Sequence, residues 1–528
     1  MTSGIPQPEP ADFPGTGRRP VRKSPIVGDL RLNPPDQEAL HARSLDRSAR
    51  DRDETTPVIL ELNMKYPGGL ESVTRAFEAM WSAFIADPTH ANHVRSDTFQ
   101  RQKVSRRLHQ CVLTRQALAE LIALDRAGDG QPVIFRAWPD YPLYAQIDRS
   151  APTVKTDAAR RSFNAAGAGV VWAVIDTGID AKHAHFSALE LARENVPRAS
   201  AGTATGGLHR DFSNLVQPNQ SVPPITDSPL TDEDGHGSHV AGIIAGACPE
   251  KLTPQVAGSD EATDGGFVLR RHGPLEGMAP LCELVSIKVF RRISGVAVTS
   301  SSAVIAALEY IITEVNVSRS TLRIHGVNLS LGCDWDPSHY AAGQSPLCQL
   351  IDELVASGVL VVISAGNNGQ GAATAGAKQS VGVLASITEP GHADACITVG
   401  STHRDAPHVF GISWTSSKGP TLDGRAKPDV VAPGEWICSA ATGLFRTAAG
   451  MDGTSADARL TYAEHSGTSM AAPHVSGVLA GFLSSRPEYI GRPAEVKALL
   501  TNTATDLGRD RFAQGAGLVD AMRMLSNS

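Results

Sequence analysis

The stretch "GVVWAVIDTGI", residues 169–179, sets six apolar residues in a row, Val170 to Ile175, directly before Asp176. A strand with one wet face alternates apolar and polar residues. A strand buried on both faces reads as this one does. Three more stretches repeat the pattern: "LVSIKVF" (284–290), "IHGVNLSLG" (324–332) and "GVLVVISAGN" (358–367). Amphipathic segments lie between them, "SSAVIAALEYIITEV" (301–315) and "LCQLIDELVASG" (347–358). Apolar strands alternating with helices predict an α/β fold, a parallel sheet with helices on both faces, from about residue 165 onward. Such sheets gather ligands and catalytic groups at the carboxyl ends of their strands. Those ends are polar or Gly-rich here: Asp176 in "IDTG", Ser330 in "LSLG", Asn367 in "SAGNNG".

Upstream the pattern differs. Residues 56–144 read as a small α+β domain of strand–helix–strand–helix–strand order. "PVILELNMKY" (57–66), "VSRRLHQCVL" (104–113) and "PVIFRAWPDYPLY" (132–144) are the strands. "GLESVTRAFEAMWSAFI" (69–85) is a helix with Val73, Phe77, Met80, Trp81 and Phe84 at helical spacing. "TRQALAELIAL" (114–124) is a second helix, capped by Thr114. Residues 1–55 are rich in Pro, Arg and Asp without a hydrophobic period, and read as a flexible tail. The third unit is then 145–528.

Of 528 residues, 41% are hydrophobic and 20% charged, as in ordinary soluble domains. A net charge of −7 gives no basic field for nucleic acid. No apolar run is long enough to span a membrane, and the polar, Pro-rich N-terminus lacks the apolar core of a secretory signal. Seven cysteines, an odd number without a CxxC pair, favour a reducing compartment and free thiols, Cys333 and Cys348 included. The expected location is cytoplasmic, with secretion by another route left open.

Two segments carry candidate chemistry. "DEDGHGSHVAG" (232–242) holds three carboxylates and two histidines, and reads alone as a metal site or as the home of a base. "HSGTSMAAPHVSGVLAGFL" (465–483) puts Ser469 before a small-residue helix, where outward N–H groups favour developing negative charge. A serine nucleophile needs a base, and the base an orienting acid. His236 and Asp176 fill those roles. The bland alternatives are an N-cap for Ser469 and a loop cap for Asp176.

"VIDTGID" (174–180), "GHGSHVAG" (235–242) and "SGTSMAAPHVSG" (466–477) together resemble the three signature blocks of the subtilisin-like serine proteases, in that family's order. The resemblance spans about 165–525 and includes "GMAPLCELVSIKVF", "VNLSLG", "DGRAKPDVVAPG" and "GAGLVDAMRML". It implies a subtilisin-like fold and a serine endopeptidase working through an acyl-enzyme. Asp176, His236 and Ser469 would form the triad. Asn367 and the Ser469 N–H would form the oxyanion hole. Ser330, Leu331 and Gly332 would pair with an extended substrate, and Ser364, Ala365 and Gly366 would form the other pocket wall. Small walls suggest an apolar or aromatic side chain before the cut. The resemblance also makes 56–144 a propeptide-like, ferredoxin-like domain that inhibits and assists folding of its own chain. Self-cleavage after Tyr144, in "PLYAQ" (142–146), is expected. His239 reads as structural, and Asp232, Glu233 and Asp234 as a solvated loop.

The chain departs from the family in places. Ser238 stands where Thr is commoner. Two insertions, about 248–274 and 443–463, are expected at the active-site rim. The usual calcium-ligating Asp position reads His185 in "KHAHF", a poor ligand for a hard cation, so no calcium is expected at that site, although Gln146 could have contributed; no cofactor is expected, with calcium at another site left open. The rival reading is a catalytically silent binding protein on a protease fold.

Overall fold

The computed structural model of the protein describes residues 55–87, 101–127, 130–139, 142–145, 152–191, 206–216, 229–260, 266–271, 275–318, 321–334, 340–372, 380–452 and 457–528. The tail read at 1–55 thus lies outside the described residues except for Thr55. The N-terminal domain has strand β1 (Thr55–Leu62), helix α1 (Gly69–Ala86), β2 (Arg101–Lys103), β3 (Leu108–Thr114), helix α2 (Arg115–Asp125) and β4 (Ile134–Pro139). Its antiparallel sheet runs β2-β3-β1-β4. Val58, Leu60 and Leu62 face a core with Val73, Phe77 and Leu118 of the two helices. The alternate residue Ile59 faces the opposite way, with Leu108 and Trp138, into the core of the larger domain. The domain therefore buries both faces of its sheet, one against its own helices and one against the rest of the chain.

Two strand readings shift here. β3 begins four residues later than expected, because the Ser105 hydroxyl accepts from the N–H groups of Arg107 and Leu108 in a turn. The stretch 132–144, read as one strand, divides into β4 and a separate strand, β5 (Pro142–Ala145). Pro139 and Pro142 each lack the N–H that a continuous ladder needs. Thr114 caps α2 as expected, accepting from Ala117 N at 3.0 Å.

In the larger domain the chain forms β6 (Val171–Asp176), β7 (Arg210–Asp211), helix α3 (His236–Ile244), β8 (Gln255–Asp260), β9 (Gly266–Arg271) and β10 (Glu283–Lys288). Next come β11 (Arg291–Ile293), β12 (Val296–Ser300), helix α4 (Ser301–Tyr310), β13 (Gly326–Leu329), β14 (Leu331–Gly332), helix α5 (Pro346–Ala356) and β15 (Leu360–Ser364). After the short hairpin β16 (Gln370–Ala372) and β17 (Ser380–Gly382) follow β18 (Ile397–Thr402), β19 (Val430–Pro433), β20 (Ile437–Ala440), helix α6 (Gly443–Ala448), β21 (Thr461–His465) and helix α7 (Thr468–Ser485).

The main sheet is parallel and seven-stranded, in the order β19-β18-β15-β13-β6-β10-β7. Trp172 and Val174 of β6 enter a core with Val240 of α3 and Val475 of α7. Val171, Ala173 and Ile175 enter the opposite core with Ile305 of α4 and Ile351 of α5. That two-sided burial is why "VVWAVI" does not alternate. The strand order reverses at β6, since β10 and β7 lie on one side of it and β13, β15, β18 and β19 on the other. Asp176 closes β6, so it stands at the switch point where such sheets bind ligands.

Two smaller sheets bear on the site. In one, β5 lies antiparallel between β12 and β14, in the order β11-β12-β5-β14. In the other, β8 and β9 of the first insertion join β20 and β21 in the order β20-β21-β8-β9. The two insertions, more than a hundred residues apart in sequence, are one structural unit.

Candidate active site

The ends of adjacent strands bring the predicted residues together. His236 opens α3 beside the end of β6, and its Nδ1 lies 2.6 Å from Asp176 Oδ1. A carboxylate accepts only, so this bond fixes the proton on Nδ1 and leaves Nε2 with its lone pair, the form a base needs. Both side chains are buried, and Asp176 Oδ1 also accepts from Thr177 N at 2.8 Å. Asp176 Oδ2 accepts no bond among the described residues.

Ser469 is the second residue of α7, where backbone N–H groups have no partner within the helix. Pro473 lies four residues further on and has no N–H to bond the Ser469 carbonyl. The Ser330 hydroxyl bonds it instead, at 2.6 Å. Asn328 Nδ2 donates to Ser330 Oγ at 2.9 Å, and Ser476 Oγ donates to Asn328 Oδ1 at 2.9 Å. The Ser469 hydroxyl in turn donates to the Ser330 carbonyl at 3.3 Å. Ser330, read in sequence only as part of a substrate edge, therefore also holds the loop–helix junction that carries Ser469.

Asn367 follows the end of β15, and its Oδ1 accepts from Thr468 N at 3.0 Å and Thr468 Oγ1 at 3.2 Å. A backbone N–H can only donate, so the atom facing it is the amide oxygen and the NH2 group is turned the other way. Thr468 Oγ1 also accepts from Gly366 N at 3.1 Å, tying that wall to the start of α7. Leu331 and Gly332 form β14 and pair with β5. Ser364 and Ala365 are fully buried at the end of β15. Gly366 is the member of that trio whose missing side chain shapes the cleft.

Thr388 is a residue the sequence reading missed. A Cβ on either Gly332 or Gly366 would come within 2.5 Å of its hydroxyl. Its side chain thus stands close to both glycines, between the two walls. No spacing in the sequence links Thr388 to those glycines, and only the fold brings them together.

The acidic run before His236 corrects an expectation. Asp232 is buried rather than solvated. It accepts from Thr177 Oγ1 at 2.9 Å, Gly235 N and Ser238 N at 2.8 Å each, and Ser238 Oγ at 2.7 Å. Four donors hold the carboxylate across the start of α3, and they offset its removal from water. Burial still pushes its carboxyl above the usual range. Ser238 keeps a second role as well, accepting from Asp180 N at 2.9 Å. Burial, with Asp232 and Asp176 nearby, pushes Asp234 up to about 6. His239 bonds the Ala463 carbonyl through Nε2 at 3.0 Å. His185 lies 3.0 Å from the Gly242 carbonyl and 3.3 Å from the Tyr462 hydroxyl, and burial lowers it to about 3. Gln146 lies outside the described residues.

β5 lies between the two edges β12 and β14. Leu143 pairs with Thr299, Tyr144 with Gly332 and Ala145 with Leu331. Along β5 the partners on the second edge descend from Gly332 to Leu331, towards Ser330 and so towards Ser469.

The same region is recognised by comparison. The model of the subtilase family matches residues 167–518. Serine protease AprX of Bacillus subtilis is 29% identical over 372 residues, covering 66% of this chain and 71% of that one. Subtilisin DY of Bacillus licheniformis is 28% identical over 369 residues, 70% of this chain and 95% of that one. Pyrolysin of Pyrococcus furiosus is 31% identical over 328 residues, 55% of this chain and 21% of that one. With the strand-end geometry and this match over most of the larger domain, the chain belongs to the subtilase family and is a serine-type endopeptidase.

Proposed function

We propose that Ser469 is the nucleophile of this endopeptidase, His236 its general base and acid, and Asp176 the group that fixes the imidazole tautomer. The Ser469 hydroxyl turns from the Ser330 carbonyl to His236 Nε2 and attacks the substrate carbonyl. The oxyanion forms against the Asn367 NH2 group and the Ser469 N–H. The imidazolium then gives its proton to the leaving amine, and water repeats the sequence on the acyl-enzyme. The observation that supports this most is the 2.6 Å bond from His236 to a buried Asp176. Every proton in the cycle has a protein group to carry it, so the chemistry is read as needing no cofactor. A fluorophosphonate probe should label the wild type at Ser469 and leave Ser469→Ala unlabelled and inactive. Activity that survives Ser469→Ala and falls with a chelator would instead support metal-dependent hydrolysis. Labelling without turnover of any peptide would support the silent binding protein.

The N-terminal domain is read as an intramolecular inhibitor. Its support is β5, which pairs with both edges as an extended substrate would, so that backbone bonds supply the affinity. Trp138 of β4 adds a buried anchor, edge-on to Tyr340 at 5.7 Å. Because Tyr144 pairs with Gly332 and not with Ser330, the proposed self-cleavage moves beyond Ala145. A mature N-terminus at Ala145 would restore the cut after Tyr144, and an intact N-terminus on active protein would end the proposal. Thr388 between the walls favours a small side chain before the cut over an aromatic one, which a peptide-library cleavage profile reads directly. Cys348 donates its thiol hydrogen to Glu389 Oε1 at 3.4 Å rather than pairing with Cys333, which supports a reducing, cytoplasmic setting.

A further inference from the structure

The two insertions raise a question that the triad does not answer. They were expected at the rim of the cleft, and instead they reach the back of its base. Helix α6 docks by backbone on the acidic run before α3: Leu444 N donates to Glu233 O and Phe445 N to Asp234 O, each at 3.0 Å. Gly235 makes this approach possible, since a Cβ there would lie 2.8 Å from Phe445 Cβ and 2.2 Å from Thr442 O. The Phe445 ring meets His236 edge-on, with centroids 6.0 Å apart and planes at 83°. It meets His239 at 5.9 Å. Behind it lies His465 of β21, tilted by 32° with centroids 4.1 Å apart. β21 is in turn paired on one side with β20 and on the other with β8 of the first insertion, Ala463 opposite Ala257. A small apolar core of Ala257, Ala441, Ala449, Met451 and Ala463 joins these pieces.

A histidine ring needs such backing. Its χ2 torsion is soft and broad, so bonded geometry alone does not set the plane of the imidazole. Asp176 fixes one nitrogen, and packing against the side of the ring resists its swing about that bond. A displacement of about 1 Å at a catalytic group costs about a hundredfold in rate. We propose that Phe445, braced by His465 and by the sheet the two insertions build, is a positioning residue for His236. It keeps the imidazole plane aligned between Asp176 and Ser469 and keeps water off that side of the ring. The inference rests on His236 being the base.

Among the described residues, the ionisable groups around the ring include Asp176 at the end of β6, Asp232 and Asp234 before α3, His239 on α3 and His465 on β21. Removing Phe445 changes none of their charges. It admits water, which solvates the imidazolium, so the acid limb of the pH–rate profile moves to higher pH.

The test uses the full-length protein as purified, with active sites counted by fluorophosphonate titration and turnover measured on a peptide. Phe445→Ala is expected to lower kcat per titrated site by about tenfold to a hundredfold. KM should stay within about twofold, because the residue touches the base and not the substrate. Phe445→Tyr, which keeps the ring, should recover most of the rate. Phe445→Leu, which keeps the apolar volume but not the ring, should lose rate while melting near the wild type, and it serves if the alanine variant fails to fold. The proposal is overturned if Phe445→Ala or Phe445→Leu matches the wild type in kcat and acid limb. It is overturned equally if Phe445→Tyr loses as much as Phe445→Ala. A wild type that labels at Ser469 while the variants show no kcat effect removes only this inference. A wild type that does not label removes the role of His236 and the inference together.

Discussion

Around Ser469, polar side chains from Asn328 to Ser476 are joined by hydrogen bonds, whereas the described surroundings of His236 include, besides Asp176, the ring of Phe445 backed by His465. The serine half draws on the ends of β13 and β15 and on α7, all elements of the main sheet and its helices. The histidine half draws on helix α6 and on β21 of a separate small sheet. The difference follows from what each group must do. The serine hydroxyl must sit at a fixed helix terminus, and directional bonds to a backbone carbonyl fix a terminus well. The imidazole must hold an orientation while its charge changes, and an aromatic contact holds a ring without adding a donor or acceptor that would compete for its protons.

That contrast breaks most visibly at Asn367. Asn367→Ala removes the proposed oxyanion donor, so kcat should fall about 10²- to 10³-fold with little change in KM. A loss shared between kcat and KM would mean that Asn367 shapes the cleft rather than the transition state. Ser330→Ala probes the support of the nucleophile. It leaves the Ser469 carbonyl buried without a donor, since Pro473 offers none, and should destabilise the protein by about 1–3 kcal/mol in denaturant unfolding. The rate per active site should also fall, because the turn holding Ser469 loses its tie. Unchanged stability would show that Asn328 or another group takes over the bond, and that the serine half is less dependent on this network than its geometry suggests.

The same contrast sets what was legible in the sequence. β6 could be found because burial on both faces removes alternation, and Asp176 because it ends such a strand. His236 and Ser469 were found because each lies in a short motif at a helix start, so local sequence carries most of the geometry. Thr388 was not found. Its position between Gly332 and Gly366 depends on three loops meeting, and Thr by itself signals nothing. Asp232 was misread because a carboxylate among Glu and Asp looks solvated until its four donors are in place. The insertions were legible as additions but not as partners. The pairing of Thr461 with Gln255 joins residues about two hundred positions apart, and β8 carries no pattern that names its neighbour. β5 was hidden in what reads as the end of β4, and only its two prolines hinted at a break.

The smallest expected effect sharpens the histidine half from the opposite direction to Phe445. Asp234 titrates near 6 in the folded protein, raised by burial and then by Asp232, while an unfolded Asp titrates near about 4. Its folded value is the higher one, so the native state favours its neutral form. Below about pH 4 it is protonated in both states and carries no penalty. As pH rises from about 4 to about 6 the unfolded chain ionises first, and native stability falls by an amount that is constant at higher pH. Asp234→Asn fixes the neutral form. It should therefore stabilise the protein by up to about 2.7 kcal/mol at pH 8 and by almost nothing at about pH 3, as read by denaturant melts at the two pH values. His236 and Asp234 also attract one another once both are charged. Loss of the carboxylate disfavours the imidazolium, so the acid limb of the pH–rate profile should move to lower pH. Phe445→Ala moves the same limb upward. A charge near the base and a ring against it thus leave opposite signatures on one measured curve, and two variants that moved it the same way would show that the limb reports a group other than His236.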